Sequence, residues 1–159
     1  MRREALYIGG EWVRPNGEGE IQVSNPTTEE KIGSVPVGNS DDINHAVSAA
    51  RSAFESWSMS PIEERIKILN DLSTALKELT EELAQTITAE VGTPIGYSRM
   101  AMVGTPRVAS RSYAKMLEGF EWEHEIRNSL IVKEPIGVCA FITPWNFPIN
   151  QVVKKIAAA

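Results

Sequence analysis

The sequence predicts an α/β fold in which short antiparallel hairpins and long helices precede the first strand and helix of a parallel sheet. Three observations carry this. The first forty residues are cut into short extended runs by glycine, proline and asparagine pairs. The middle of the chain repeats apolar residues at helical spacing. Residues 136–142 are then apolar on both faces, as a covered central strand must be, and a helix start follows them directly.

Taken in order, Leu6-Tyr7-Ile8, the pair Gly9-Gly10 and Trp12-Val13 spell a hairpin. Asn16-Gly17 marks a further turn, and Ile21-Gln22-Val23 alternates like a half-buried strand. Asn25-Pro26 separates it from a second extended stretch over residues 31–37, which ends at Gly38-Asn39. Ser40 is placed to cap a helix whose first turn carries Asp41 and Asp42, at the positive end of the helix dipole. Ile43, Ala46, Val47, Ala50, Ala53, Phe54 and Trp57 share its apolar face. Ser60-Pro61-Ile62-Glu63 reads as the next helix start, with Ser60 at the cap, Pro61 at the first helical position and Glu63 closing a capping box. Ile62, Ile66, Leu69, Leu72, Leu76 and Leu79 form the buried stripe. Thr80-Glu81-Glu82 restarts or kinks the helix, and Leu83, Ile87 and Val91 carry it to Gly92, a left-handed C-cap before Pro94. A third helix is expected over residues 95–117, disturbed by Gly104 and Pro106.

Phe120-Glu121-Trp122-Glu123-His124-Glu125 alternates aromatic or His with acid, which predicts a solvent-facing antiparallel strand. Asn128 turns it and Leu130-Ile131-Val132 pairs back. The strand at 136–142 and a helix from Pro148 follow, with no glycine or asparagine ending that helix by Ala159. A parallel strand needs a parallel partner reached through a crossover, and these residues supply one such unit. The sequence therefore reads as part of a longer chain, in three parts: hairpins and helices over 1–117, an antiparallel ribbon over 118–134, and the first strand and helix of the sheet over 135–159.

With 42% apolar and 23% charged residues, the composition is that of a globular protein. A net charge of −5 and scattered lysines and arginines argue against nucleic acid as a partner. The longest apolar run, 136–142, is too short to span a membrane. Met1-Arg2-Arg3-Glu4-Ala5-Leu6 has no apolar stretch behind its arginines, so no leader is expected; with a single cysteine this points to the cytoplasm. One cysteine and two distant histidines give no metal-ligand spacing. Cys139, in mid-strand with nothing basic beside it, is expected to be a core residue. His124 is expected to be solvated, His45 to lie on the polar side of its helix, and Trp12, Trp57 and Trp122 to serve packing or an interface.

The chemistry concentrates in Thr143-Pro144-Trp145-Asn146-Phe147-Pro148, between the end of a strand and the start of a helix, where doubly wound folds hold their ligands. Helix N–H groups are unpaired there and the dipole end is positive, which favours a cofactor or an anionic transition state. Two prolines stiffen the turn. Asn146 offers an amide donor at its mouth, or else caps the helix. Phe147, held out of helical geometry by Pro148, is the more natural cap.

The run Glu134-Pro135-Ile136-Gly137-Val138-Cys139-Ala140-Phe141-Ile142-Thr143-Pro144-Trp145-Asn146-Phe147-Pro148 is similar to the stretch of the aldehyde dehydrogenase superfamily around its Pro-Trp-Asn-Phe-Pro motif. Tyr7-Ile8-Gly9-Gly10-Glu11-Trp12-Val13, Asn25-Pro26-Thr27-Thr28-Glu29-Glu30-Lys31-Ile32-Gly33, Ala49-Ala50-Arg51-Ser52-Ala53-Phe54-Glu55-Ser56-Trp57 and Glu90-Val91-Gly92-Thr93-Pro94 also resemble the family, in its order. The resemblance implies an N-terminal part of that fold, ending in the first strand and helix of a Rossmann-like core. It also implies oxidation of an aldehyde to a carboxylate with NAD or NADP, through a cysteine thiohemiacetal and thioester. Asn146 would be the catalytic side-chain donor of the oxyanion hole. Ile142, Thr143, Pro144, Trp145 and Asn146 would line the cofactor path, and Phe147, Gln151 and Lys154 the substrate tunnel. Lys155 matches a lysine of a polar network near the hydrolytic base. Dimers or tetramers are implied, bridged by the ribbon at 120–132. The family's nucleophilic cysteine, base glutamate, glycine-rich loop and ribose-binding lysine and glutamate lie beyond the position of Ala159, so these residues alone are expected to be inactive. Ala157-Ala158-Ala159 departs from the family's commoner Pro-Ala-Leu. A CoA-acylating relative, a non-catalytic short paralogue that binds a nucleotide or joins longer subunits, and a purely structural assembly piece remain alternatives on sequence.

Overall fold

The computed structural model describes residues 5–159, so most of the opening on which the absence of a leader was argued lies outside the described residues. Three two-stranded antiparallel sheets and a set of helices make up the chain: β1 (Leu6–Ile8) with β2 (Glu11–Val13), β3 (Glu20–Ser24) with β4 (Lys31–Pro36), and β5 (Glu123–Ile126) with β6 (Ser129–Val132). The helices are α1 (Ser40–Trp57), α2 (Ile62–Glu78), α3 (Thr80–Val91), α4 (Ile95–Tyr97), α5 (Gly104–Leu117) and α6 (Pro148–Ala158), with a π-helical turn, Ser98–Val103, joining α4 to α5. Among the described residues no helix is long and apolar enough to cross a membrane, and no group of His, Cys, Asp and Glu is placed to hold a metal ion.

The start of α1 differs from expectation. Asn39 is the cap, and Ser40 is the first helical residue. The Asn39 side-chain oxygen accepts from the N–H groups of Asp41 (2.9 Å) and Asp42 (3.2 Å), while the Asp42 carboxylate accepts from Asn39 N–H at 2.9 Å. An amide reaches both donors and leaves Asp42 free to close the box. The same carboxylate accepts from the backbone and side-chain nitrogens of Asn16 (both 2.9 Å) and from Gly17 N–H (3.2 Å), which ties the Asn16-Gly17 turn to the helix. Asp42 is accordingly buried while the apolar face of α1 is not: Ile43 is 64% exposed, and Val47 and Trp57 are exposed with it. Phe54, near the end of that face, is half-buried.

At the next junction Ser60 does not cap α2. Its hydroxyl donates to Trp57 O (2.8 Å), closing α1, and Pro61 takes the cap position in extended geometry with no side-chain acceptor. The α2 stripe is buried as expected around Leu69 and Leu76, and Leu79 is exposed at the break before α3. α2 packs along α5, where the buried Ser73 hydroxyl donates to Arg107 O at 3.0 Å. Gly92 caps α3 in the left-handed region (φ 77°), as expected; a Cβ there would also press on Pro26 Cγ at 2.9 Å.

The helix expected over 95–117 forms, with its disturbance absorbed in the π turn. Pro106 can neither donate to the Met102 carbonyl nor tolerate it close by, and the wider turn immediately before it supplies room. Bidentate donation from Arg99 in this turn, aided by Gln85, holds the Glu81 carboxyl down at about 2 and ties the turn to α3. Ala84 and Ile87 of α3 with Met102 and Val103 of the π turn form the core.

The ribbon starts later than its alternation suggested. Residues 120–122 lie outside β5, where Phe120 and Trp122 stack edge-on at 4.6 Å. Asn128 lies in the turn as expected, beside Arg127, which takes φ 58°. His124 is not the solvated residue expected: it is half-buried, and its Nδ1 and the Trp122 Nε1 are shielded without a hydrogen bond.

Asp42 sets a pH test. The N–H of Asn16 first, then that of Asn39, hold its carboxyl below the ordinary value of 3.8. A depressed folded-state value contributes stability above the unfolded value, and that contribution disappears as pH falls through the folded one. Asp42→Ala should therefore lower the urea midpoint at neutral pH, with the deficit shrinking as the solution is taken below 3.8. Parallel deficits at both pH values would show that the carboxylate charge contributes nothing.

Candidate active site

The turn 143–147 is held from its C-terminal side. Pro148 keeps Phe147 out of helical geometry (φ −137°, ψ 67°), and Phe147 is the cap of α6, with no side chain accepting from the first helical N–H groups. Phe147 and Ile149 pack on Ala84, Ile87, Met102 and Val103, and the Phe147 ring meets Tyr97 edge-on at 6.4 Å. With that aromatic seated, the preceding residues turn outward. Thr143, Pro144 and Asn146 are exposed, Trp145 is 77% exposed and Ile142 93%. The Asn146 side chain makes no hydrogen bond with the described residues, so it is not the helix cap and its amide is available. Open N–H groups at the start of α6, a positive dipole end and a free amide donor lie within three consecutive residues.

The expected strand at 136–142 carries no ladder. Its ladder partners are absent from the described residues, and a strand is defined by them. Ile136 and Ile142 are almost fully exposed. Cys139 is consequently a surface thiol and not a core residue; its Sγ lies 3.7 Å from Gly137 O. The segment runs beside the end of α1 and α6, and Phe54, Trp57, Ile136, Phe141 and Ile156 line an apolar cleft of about 340 Å³ between them.

Of the residues expected on one face of α6, Phe147 is in the core contact described. Gln151 is half-buried and accepts from Lys155 Nζ at 3.2 Å. Lys154 lines a cleft of about 430 Å³ shared with Met100, Thr105, Arg107 and Val108 of the π turn and α5. Arg107 was not singled out from the sequence, where it sits in a stretch of doubtful helix after Pro106. Asn150 was missed as well. It is buried on the inner side of α6, near Ile149 and Val153, and its Oδ1 has no partner. A polar residue between two inward apolar ones was the available signal.

Comparison with known proteins agrees with this geometry. The model of the aldehyde dehydrogenase family matches residues 12–159. A 3-succinoylsemialdehyde-pyridine dehydrogenase from a Pseudomonas species is 36% identical over 97% of this chain, which spans 32% of that protein. A mutant aldehyde dehydrogenase C from Pseudomonas syringae, solved with NAD+ and octanal, superposes with a TM-score of 0.94 at 37% identity, covering 97% of this chain and 32% of that one. A betaine aldehyde dehydrogenase from Staphylococcus aureus, solved with NAD+, gives 0.90 at 33% identity, covering 97% and 32%. The chain thus spans about a third of the length of the relatives it matches, and it belongs to the aldehyde dehydrogenase family, as the N-terminal part of that fold.

Proposed function

We propose that this chain is the portion of an NAD(P)-dependent aldehyde dehydrogenase that supplies the oxyanion donor and one wall of the cofactor site, in a protein that oxidises an aldehyde to a carboxylate. The carrying observation is Asn146, an exposed amide with no partner, fixed by the anchored Phe147 at the uncapped start of α6. When a nucleophile adds to the aldehyde carbon, negative charge grows on oxygen, and an Nδ2–H donor already in place stabilises that charge without reorganising. Ile142, Thr143, Pro144 and Trp145 form an outward turn of fixed backbone, suited to a flat ring and a phosphate near the positive end of α6. NAD or NADP supplies the hydride acceptor when bound. Gln151 and Lys154, with the edge of Phe147, would face the aldehyde, and Lys155 would hold Gln151 in place.

The same reading divides the chain into a hairpin-and-helix part (1–117), a bridging ribbon (118–134) and the first unit of the cofactor sheet (135–159). It places the protein in the cytoplasm as a dimer or tetramer joined through the ribbon, whose Ile126, Leu130, Ile131 and Val132 are exposed.

Asn146→Ala in the full-length protein should lower kcat by about 10²-fold or more, with cofactor affinity little changed, because the bond is made in the transition state. Steady-state kinetics with a cofactor titration decide it, and an unchanged kcat would reduce Asn146 to a turn residue. Residues 1–159 alone should form no reduced cofactor from NAD+ or NADP+ with any aldehyde, since among the described residues no nucleophile paired with a base stands beside Asn146. Turnover abolished by Cys139→Ser would instead assign Cys139 a catalytic role.

A further inference from the structure

We propose that Asn150 is a positioning residue for Asn146: its Oδ1 accepts from the Phe147 N–H in the form of the enzyme that turns over, and so fixes the peptide that carries Asn146. This rests on the dehydrogenase reading above and adds a residue to its oxyanion site. Asn150 is the third residue of α6 and only 9% exposed, yet its Oδ1 has no partner. A buried acceptor left unpaired is costlier than an apolar side chain of the same shape, so the position calls for a donor. Ile149 and Val153, packed inward beside it, show what the packing of α6 alone asks for. The Phe147 N–H is likewise without a partner among the described residues.

The chain already contains the closed form of this arrangement. In α1 the cap is Asn39 and the third helical residue is Asp42, whose carboxylate accepts from the Asn39 N–H at 2.9 Å. In α6 the cap is Phe147 and the third helical residue is Asn150, so a backbone donor and a side-chain acceptor recur at the same spacing. The two caps have similar φ, −121° and −137°, and differ in ψ: −171° at Asn39 and 67° at Phe147. A residue before proline favours ψ of about 120–160°. Turning Phe147 toward that range carries its N–H toward the place that the Asn39 N–H holds over α1. The same N–H belongs to the planar peptide joined to Asn146. Once it is pinned, the ψ of Asn146 is set, and with it the direction of the Asn146 amide. Asn150 does this without charge. A carboxylate in its place, as in α1, would add negative charge to the helix start at which negative charge develops in the reaction.

The test uses the full-length protein. Asn150→Leu removes the acceptor and keeps a side chain of the same branching between Ile149 and Val153. It should lower kcat about tenfold, with KM and cofactor affinity little changed, because the loss falls on the transition state. Its Tm should be unchanged or higher, since an unpaired polar atom leaves the core. A residue that served packing alone would lower Tm along with kcat. The two asparagines should also act as one: Asn150→Leu added to Asn146→Ala should bring no further fall in kcat, there being no amide left to position. Hydrogen exchange at the Phe147 amide should be slow in the cofactor-bound wild type, fast in Asn150→Leu, and slow again in Asn150→Asp. An unchanged kcat in Asn150→Leu, a further tenfold loss on top of Asn146→Ala, or fast exchange at Phe147 in the wild type overturns the proposal while leaving the dehydrogenase reading intact. If Asn150→Leu does not fold, exchange at the wild-type Phe147 amide against its free-peptide rate decides alone. Failure of the wild type to oxidise any aldehyde overturns the dehydrogenase reading and the positioning role with it, and slow exchange at Phe147 would then mark a capped helix and nothing more.

Discussion

The seat of Phe147 and Ile149 in the core is the contact on which the candidate site depends. Ala84 and Ile87 from α3 and Met102 and Val103 from the π turn make one compact apolar surface, and the start of α6 is pressed onto it. Partial burial of these two large apolar side chains stabilises that arrangement by less than the about 1.5–3 kcal/mol each that full burial would give. Pro148 limits the direction of the chain here: it keeps Phe147 out of helical geometry, and with that ring on the core Trp145 and Asn146 are left exposed. The free amide of Asn146 is a consequence of its neighbour's burial, and an α6 that slid on α3 would carry it out of place.

The π turn links this seat to the rest of the chain. Its residues contribute half of the core, while Pro106, three residues beyond it, favours the wider geometry. Arg99 at the turn holds α3 through Glu81, and Ser98 is buried against Thr88, with 3.0 Å between their hydroxyls. The proline that made the helix over 95–117 doubtful on sequence thus sets where α5 leaves the core, and so where Arg107 lies.

Much of this was legible in the sequence because it depends on local geometry. The Gly9-Gly10 hairpin, the left-handed Gly92, the stripe of α2 and the identity of the α6 cap follow from backbone rules that act within a few residues. The errors share a cause. Asn39 displaced Ser40 because Asp42 had a second task twenty-six residues away, holding Asn16, which no helix-capping rule contains. Ser60 lost its cap role to the end of the preceding helix. Lys154 was placed on a face of α6 from the sequence, but Arg107 reaches the same cleft from another element, and only the packing of α6 against α5 brings them together.

The uncovered apolar surfaces belong to the same logic. Ile43, Val47 and Trp57 keep helical spacing on α1, and 136–142 keeps apolar residues on both faces, yet both are exposed. Apolar area left in water forgoes about 25 cal/mol for each Å², so such regular patterning is hard to explain as a solvent-facing design. The two surfaces also adjoin: Phe54 and Trp57 from α1, Ile136 and Phe141 from the segment, and Ile156 from α6 share one cleft. A sheet built on 136–142 would need helices on both its faces, and α1 and α6 already stand beside the segment with apolar side chains toward it. The absent ladder and the bare face of α1 are therefore one feature. The sequence specifies burial for both, and the relatives that share this architecture are about three times as long.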